Sequence, residues 1–401
     1  MSDVSRLLAK RTHKFEDSVI IQMTVRAREL RAEGRDVVAL TIGEPDFDTP
    51  EFIKQAATDA MDQGFTHYAP MNGMLQLREA LAAKLKSENG LDYGANEIVV
   101  TNGAKQAITN ACFALLDDDD EVIMPTPFWV AYESIAEMAG GKSVVVRTGA
   151  EDGFKIRPEV LEAAITDRTK LFIFSNPCNP SGAVYSRDEL EALAEVFRRH
   201  PNIVIMADEI YEYIVFDKPH VSFGALDGMR DRTVTINGFS KGFAMTGWRL
   251  GYVAASAPIA RACSKIQGAL TAGGNAFVQM AGVTALEADR TECQEMTHSY
   301  HQRRDLIAGL LSDIPGVNVS PPDGTFYIFP DVSAHLGKAA GNHRVETVEE
   351  LCMWLLEEHN VAVVPGGSFG DPDCLRMSFA CSDDDIRKGC SRLKEAFALL
   401  E

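Results

Sequence analysis

The chain has 401 residues, 46% of them hydrophobic, which is enough for a sizeable core and for more than one domain. Its 39 basic and 58 acidic residues give a net charge of -19, which disfavours nucleic acid and anionic lipid and favours small-molecule partners. No apolar run approaches the ~20 residues of a membrane span, and the first residues lack the apolar segment of a signal peptide, so a cytoplasmic location is expected.

The cysteines and histidines indicate neither a disulfide framework nor a metal site. The eight cysteines form no CxxC pair and are typical of free thiols in a reducing compartment. The nine histidines show no ligand spacing such as HExxH, and His298 and His301 are interpreted as a solvated pair. We therefore expect no bound metal.

Short apolar runs recur through the middle of the chain. In order they are EIVVT (97–101), EVIMP (121–125), KSVVV (142–146), KLFIF (170–174), IVIMA (203–207), TVTIN (233–237) and LGYVAA (250–255). Continuous apolar runs are typical of strands covered on both faces. Between two of them, Ser186 and Glu189 have the spacing of a helix-capping box, with an apolar helical face following. This alternation predicts an α/β fold with a mostly parallel, seven-stranded sheet between helices.

The pattern changes near residue 300, where longer amphipathic helices begin. Three strand-like runs lie among them: TFYIF (325–329), VAVVP (361–365) and LRMSF (375–379). These features predict a smaller α+β domain, which the helical segment near 18–33 could join. We expect a large domain over 49–300 and a discontinuous small domain formed by 1–48 and 301–401.

The stretch NGFSKGFAMTGWR (237–249) places Lys241 among small residues, directly after a predicted strand. Ligands of open parallel sheets bind at the carboxyl ends of the strands, which is where this lysine falls. The phosphate-binding pattern GxxxxGK[ST] is absent. Lys241 is therefore either an amine that forms a Schiff base with a carbonyl substrate or with pyridoxal phosphate, or a surface lysine.

Asp208 ends the run IVIMA and is costly to bury unless it meets a positive group. The protonated nitrogen of a pyridine ring is such a group, and Tyr211, three residues on, could reach the hydroxyl of the same ring. The alternative for Asp208 is a helix N-cap.

Two turns supply further candidates. NPCNPSG (176–182) would direct the amide of Asn179 toward the strand ends, although a plain turn is the alternative. In VTNGAKQAI (100–108), a strand passes through Gly103 into a helix, whose first N–H groups suit a phosphate.

Two arginines and a tryptophan complete the candidate site. Arg249 and Arg376 each carry a planar guanidinium group, which can donate paired hydrogen bonds to a phosphate or a carboxylate. The two residues fall in different predicted domains. One could hold a cofactor and the other a substrate. Trp129 could stack on a pyridine ring or belong to the core.

Eight motifs, taken together and in order, resemble those of the class I pyridoxal-phosphate-dependent aminotransferases. They are GEPDFDTP, YAPMNG, NGAKQA, PTPFWVAY, NPCNPSGAVY, ADEIYE, FSKGFAMTGWRLGY and LRMSFA, and they extend from Gly43 to Phe379. The resemblance is strongest to the bacterial aspartate aminotransferase type, whose relatives also use prephenate. It implies a fold-type-I homodimer with active sites at the subunit interface.

The resemblance also assigns site residues. Lys241 would hold pyridoxal 5'-phosphate as a Schiff base and then move protons as the catalytic residue. The residues expected at the cofactor are Gly103, Ala104, Lys105, Trp129, Asn179, Asp208, Tyr211, Ser240, Lys241, Arg249 and Tyr68 of the partner subunit. Those expected at the substrate are Gly43, Trp129, Asn179, Arg376, Lys105 and Ile20.

The resemblance leaves the substrate open. Aspartate-type members have a threonine at Ile20 and a basic residue at Glu16, whereas Lys105 matches a lysine that meets the distal carboxylate of acidic substrates. The expected reaction is transamination between L-aspartate and 2-oxoglutarate, with prephenate as a related substrate. The alternatives are aromatic, branched-chain or basic amino acids, a C–S β-lyase of the same fold, and a pyridoxal-phosphate-sensing regulator.

Overall fold

The structure is a computed structural model that describes residues 7–9, 12, 19–341 and 343–401. Its α-helices are α1 Val19–Ala32, α2 Glu51–Asp62, α3 Leu75–Asn89, α4 Ala104–Leu115, α5 Ala131–Met138, α6 Pro158–Ala164, α7 Arg187–Arg199, α8 Ala257–Leu270, α9 Ala276–Glu287, α10 Thr291–Ser312, α11 Val348–His359 and α12 Asp383–Phe397. Its strands are β1 Val38–Ala39, β2 Ile98–Thr101, β3 Glu121–Pro125, β4 Lys142–Val146, β5 Thr169–Ser175, β6 Val204–Asp208, β7 Thr233–Gly238, β8 Gly251–Ala254, β9 Tyr327–Ile328, β10 Lys338–Ala340, β11 His343–Val345, β12 Val361–Ala362, β13 Val364–Pro365 and β14 Leu375–Ser378.

The seven predicted strands form one sheet in the order β2-β8-β7-β6-β5-β3-β4. All neighbouring pairs are parallel except those of β8, which runs antiparallel to both β2 and β7. Each residue of β2, β3, β7 and β8 is buried, as expected for strands covered on both faces, whereas β4 lies at an edge and is partly exposed. The α/β fold is confirmed.

The start and the orientation of helix α7 follow from its local sequence. The Ser186 hydroxyl accepts a hydrogen bond from the Glu189 N–H, and the Glu189 carboxylate accepts one from the Ser186 N–H, as the predicted capping box requires. The apolar face of this helix, including Leu190 and Phe197, is buried against the aromatic side chains of β5. The cap therefore fixes where the helix starts, and burial fixes its orientation.

A second core lies beside the large sheet. It joins α1 and β1 to α10, α11 and α12 and to the sheet β13-β14-β9, while β1 pairs in parallel with β12. Segments from both ends of the chain thus share one cluster of buried side chains. The domain boundaries at 48/49 and 300/301 remain a prediction, and α10 continues through residue 300. Within the described residues, no helix is long and apolar enough to cross a membrane.

Candidate active site

A cavity of about 640 Å³ lies where β5, β6 and β7 end, between the large sheet and α1. The carboxyl ends of parallel strands meet at one edge, so side chains that are far apart in sequence converge there. Eleven of the predicted site residues line it: Gly43, Ala104, Lys105, Trp129, Asn179, Asp208, Tyr211, Ser240, Lys241, Arg249 and Arg376.

Lys241 lies three residues beyond the end of β7 and extends into this cavity. Its ammonium group donates a hydrogen bond to the carbonyl oxygen of Gly43 at 2.5 Å. Burial, together with the nearby cation of Arg376, lowers the pKa of Lys241 to about 8. About a tenth of such an amine is neutral at pH 7, far more than for an ordinary lysine, so Lys241 is a competent nucleophile and base.

Asp208 is the last residue of β6 and is 5% exposed. It accepts a hydrogen bond of 2.6 Å from the Tyr132 hydroxyl and a longer one of 3.3 Å from the Ile210 N–H. Burial raises the pKa of Asp208 to about 6, although the Tyr132 hydrogen bond opposes this rise. Turns rather than an α-helix follow this residue, so Asp208 is not a helix N-cap. Its carboxylate is available to a cationic ligand group in the cavity.

Arg376 is 3% exposed and lies on β14, so it reaches the cavity from the second core. Its Nη2 donates to the carbonyl oxygen of Thr41 at 3.0 Å, and its Nη1 donates to Oδ1 of Asn179 at 3.3 Å. Its Nε has no hydrogen-bond partner, and the described residues place no carboxylate in an ion pair with it. Burial lowers the pKa of Arg376 from its usual range. A buried cation with a free N–H is a ready site for an anionic ligand.

Arg249 and Gly103 lie together at the N-terminus of α4. Gly103 has φ +83°, directly precedes α4, and has no space for a side chain, because a Cβ there would lie 2.3 Å from Nη2 of Arg249. Arg249 donates to the carbonyl oxygen of Thr246 at 2.8 Å. Gly251 is equally restricted, since its Cβ would lie 2.6 Å from the carbonyl carbon of Gly103. The guanidinium and the N-terminus of α4 are thus held together, as phosphate binding requires.

Lys105 and Trp129 form the side wall of the cavity. The Lys105 ammonium lies 4.9 Å from the centre of the Trp129 ring, within the range of a cation–π contact. Burial lowers the pKa of Lys105, and the neighbouring Arg249 lowers it further. One face of the tryptophan is therefore occupied by a cation of the chain itself.

Of the predicted site residues that the structure describes with their side chains, Gly103 and Tyr68 are not among those that line the cavity. Tyr68 is 98% exposed and borders a separate surface depression with Gly273 and Asn275, so its expected contact with a partner subunit's cofactor stays a prediction. The backbone of Ile20 belongs to α1, but its side chain lies outside the described residues, as does all of Glu16.

Comparison with known proteins identifies the family. A model described as aminotransferase class I and II matches residues 35–393. The chain belongs to this family. An aspartate/prephenate aminotransferase of Cereibacter sphaeroides is 44% identical over 384 residues, which cover 95% of the chain and 96% of that protein. An aspartate aminotransferase of Bacillus subtilis is 40% identical, with 96% and 98% covered.

Solved structures agree with this placement of the aminotransferase. The crystal structure of the aspartate aminotransferase from Rhizobium meliloti matches it with a TM-score of 0.96 at 40% identity, covering 98% of the chain and 99% of that protein. The family resemblance and the fold-type-I architecture predicted from the eight motifs are therefore confirmed. The aminotransferase acts on amino acids and 2-oxo acids.

Sequence reasoning missed several cavity residues of the aminotransferase. Tyr132, which holds Asp208, lies three residues after Trp129 in PTPFWVAY, and that helical spacing was the available signal. Glu44 also lines the cavity and accepts a hydrogen bond of 2.8 Å from the Thr246 hydroxyl. The other missed lining residues include Thr24, Ala27, Arg28 and Arg31 of α1.

Two further carboxylates lie close behind Asp208 in the aminotransferase. Glu209 and Glu212 are buried, and their oxygens lie within 4.8 Å of each other and of a ring nitrogen of His220. The ammonium group of Lys84 contacts Glu212, and Asn89 donates to the same carboxylate at 2.8 Å. Lys84 thus already supplies a positive charge to this cluster.

Asp208 gives the ligand-free aminotransferase a pH-dependent stability. Because burial raises the folded pKa to about 6, above the ~3.9 of an unfolded aspartate, ionisation opposes folding as pH rises between these values. Asp208→Asn removes the free-energy cost of ionising this buried carboxyl group. We expect the substitution to raise the free energy of unfolding by about 3 kcal/mol near pH 8 and by about half as much near pH 5. Denaturant unfolding of both proteins at the two pH values measures the difference.

The control for this prediction is Asp313→Asn, which changes an exposed carboxylate outside the cavity. It should leave stability nearly unchanged at both pH values. A stability gain in Asp208→Asn that is independent of pH would contradict the raised pKa.

Proposed function

We propose that the aminotransferase transfers the amino group of L-aspartate to 2-oxoglutarate, with pyridoxal 5'-phosphate as cofactor and prephenate as a related acceptor. The observation that carries the proposal is the buried Arg376 guanidinium, whose charge no carboxylate of the described chain neutralises. An uncompensated buried cation is costly, and a substrate α-carboxylate would remove that cost. The names of the relatives support aspartate as the amino donor.

The residues present fit this cofactor at three separate points. The Lys241 amine suits its aldehyde carbon, the buried Asp208 carboxylate suits its pyridine nitrogen, and the Arg249 site beside Gly103 suits its phosphate. When bound, pyridoxal phosphate supplies a carbonyl carbon that links to amines and a ring that takes up electrons. The free Arg376 N–H remains for the substrate.

The surrounding residues would orient the two ligands. Tyr211 donates to the Tyr327 hydroxyl at 3.1 Å, so its buried hydroxyl is held toward the cavity, where it and Asn179 would contact the ring oxygen. Trp129 would pack against the ring, and the backbone of Ala104 and Lys105 with the Ser240 hydroxyl would complete the phosphate site. Gly43 and Asn179 would join Arg376 around the α-carboxylate.

Proton transfer falls to Lys241. With a pKa of about 8, its amine can take the proton from Cα of the bound amino acid and, once protonated, would deliver that proton to the former aldehyde carbon of the cofactor, on the other side of the amino nitrogen. The Gly43 carbonyl, which accepts a hydrogen bond from this amine, holds it at the edge of the cavity between the two transfers. The same group therefore serves as base and then as acid.

The proposed reaction can be tested in half-reactions. Purified protein carrying pyridoxal phosphate is mixed with L-aspartate without a 2-oxo acid, and we expect about one oxaloacetate per subunit, followed by glutamate when 2-oxoglutarate is added. Parallel reactions contain L-phenylalanine, L-leucine or L-arginine. Conversion of one of these but not of aspartate would contradict the proposed substrate. Release of pyruvate and ammonia from a cysteine conjugate without an acceptor would indicate a β-lyase.

The proposed assembly is a homodimer in which Tyr68 contributes to the cofactor site of the partner subunit. The 98% exposure of this tyrosine, beside the exposed apolar side chains of Met71 and Leu75, supports an uncovered contact face here. Sedimentation of the active protein should give a dimer. A fully active monomer would contradict the assembly.

A further inference from the structure

The cavity carries an excess of positive charge within an acidic protein. Among the described residues, two carboxylates, Glu44 and Asp208, line it together with six cationic side chains: Arg28, Arg31, Lys105, Lys241, Arg249 and Arg376. A cavity with this balance attracts anions even though the whole chain has a net charge of -19. The proposed function accounts for Lys241, Arg249 and Arg376, and it leaves the role of the others open.

Five of these six cations are held by contacts within the chain. The contacts are Arg31 with the carbonyl oxygen of Val37, Lys105 with the Trp129 ring, Lys241 with Gly43, Arg249 with Thr246, and Arg376 with Thr41 and Asn179. Arg28 has neither a hydrogen bond nor an ion pair with any part of the chain that the structure describes. It is exposed, and its guanidinium is available to a ligand.

The face of α1 that carries Arg28 is directed at the cavity. Thr24, Ala27, Arg28 and Arg31 line it, and their spacing of three and four residues is that of one helical face. Long side chains on a helix point back toward its N-terminus, so the guanidinium of Arg28 extends over the preceding turn.

The rest of α1 is fixed, so Arg28 is presented from a rigid position. Met23 and Leu30 are buried in the second core. Arg26 forms a bidentate ion pair with Glu357 of α11, with N–O distances of 2.6 and 3.0 Å. A helix held on its other faces in this way can orient a ligand through Arg28.

We propose that Arg28 binds the side-chain carboxylate of dicarboxylate substrates and makes the enzyme prefer them. This inference rests on the proposed function and deepens it. Arg376 is buried and would take the α-carboxylate. The Lys105 ammonium, which the resemblance assigns to the distal carboxylate, lies against the Trp129 ring, whereas the planar guanidinium of Arg28 has no partner among the described residues and can bind the second carboxylate.

The test compares a dicarboxylate with a monocarboxylate of equal length. Binding of succinate and of butanoate to the holoenzyme is measured by calorimetry for the wild type, Arg28→Gln and Arg28→Lys. We expect Arg28→Gln to weaken succinate binding by about tenfold and to leave butanoate binding unchanged, because only one carboxylate contact is lost. Arg28→Lys, which keeps the charge, should retain part of the preference. The kcat/KM ratio of L-aspartate to L-alanine should fall in parallel.

The matched control is Arg261→Gln, which removes the same charge from an exposed position on α8 outside the cavity. It should leave both dissociation constants unchanged. A wild type that binds succinate no better than butanoate and does not convert aspartate would overturn the proposed function and this inference together. If the wild type binds succinate more tightly than butanoate and Arg28→Gln shows the same preference, the role of Arg28 would be overturned and the proposed function would stand. Equal weakening of both ligands would also overturn it, since it would indicate a structural role.

Discussion

Lys241→Ala is expected to lower kcat by about 10²- to 10⁴-fold, the range for loss of a general acid–base group, with a further loss from the missing covalent link. The physical reason is that the Lys241 amine lines the cavity, has its pKa lowered to about 8, and is the base proposed for the proton transfer. Half-reaction rates with L-aspartate measure the effect. Borohydride reduction followed by peptide mass analysis should find the cofactor attached to Lys241 in the wild type.

Lys265→Ala serves as the control, because this lysine is exposed on α8 and does not line the cavity. It should behave like the wild type in both assays. A small added amine should restore part of the activity of Lys241→Ala. Near-normal transamination by that variant without added amine would show that Lys241 is not the catalytic base.

Arg376→Ala is expected to weaken the binding of both amino acids and 2-oxo acids by about 2 to 5 kcal/mol, the usual cost of removing one partner of a buried charge pair. Both ligand classes share the α-carboxylate, so they should lose affinity together. Arg376→Lys should recover only part of it, since an ammonium lacks the planar fork. Dissociation constants measured with the holoenzyme test this, and thermal unfolding shows whether the variant folds. Unchanged affinity for both classes would exclude the assigned role.

The sequence predicted the large sheet well because its physical signal is local. Runs such as EVIMP and KSVVV start at a charged residue and contain three consecutive apolar residues, and the strands β3 and β4 match them residue for residue. The run TFYIF was less well predicted, since only Tyr327 and Ile328 of it pair as β9. Strand length there depends on which partner is present, and that information is not local.

The convergence of the candidate site was also predictable. Lys241, Asp208 and Asn179 each follow an apolar run, and the ends of parallel strands must meet at one edge. The hydrogen bond from Tyr132 to Asp208 and the position of Arg28 were not predictable in the same way. Both depend on how a helix rotates when it packs, and a helical repeat gives the face of a helix but not what that face meets.

Because Gly251 lies in tight contact with Gly103, the proposed phosphate end of the cavity tolerates fewer amino-acid substitutions than the end formed by α1. At the phosphate end, backbone lies against backbone, and a single added methyl group would collide with it. At the α1 end, Arg28 and Arg31 are exposed, and exchanging them would remove the hydrogen bonds from Arg31 to the Val37 carbonyl but would force no collision with backbone. Randomising those α1 positions should therefore yield enzymes with new substrate ranges that still retain the cofactor, so this scaffold is suited to directed evolution of specificity from one side only.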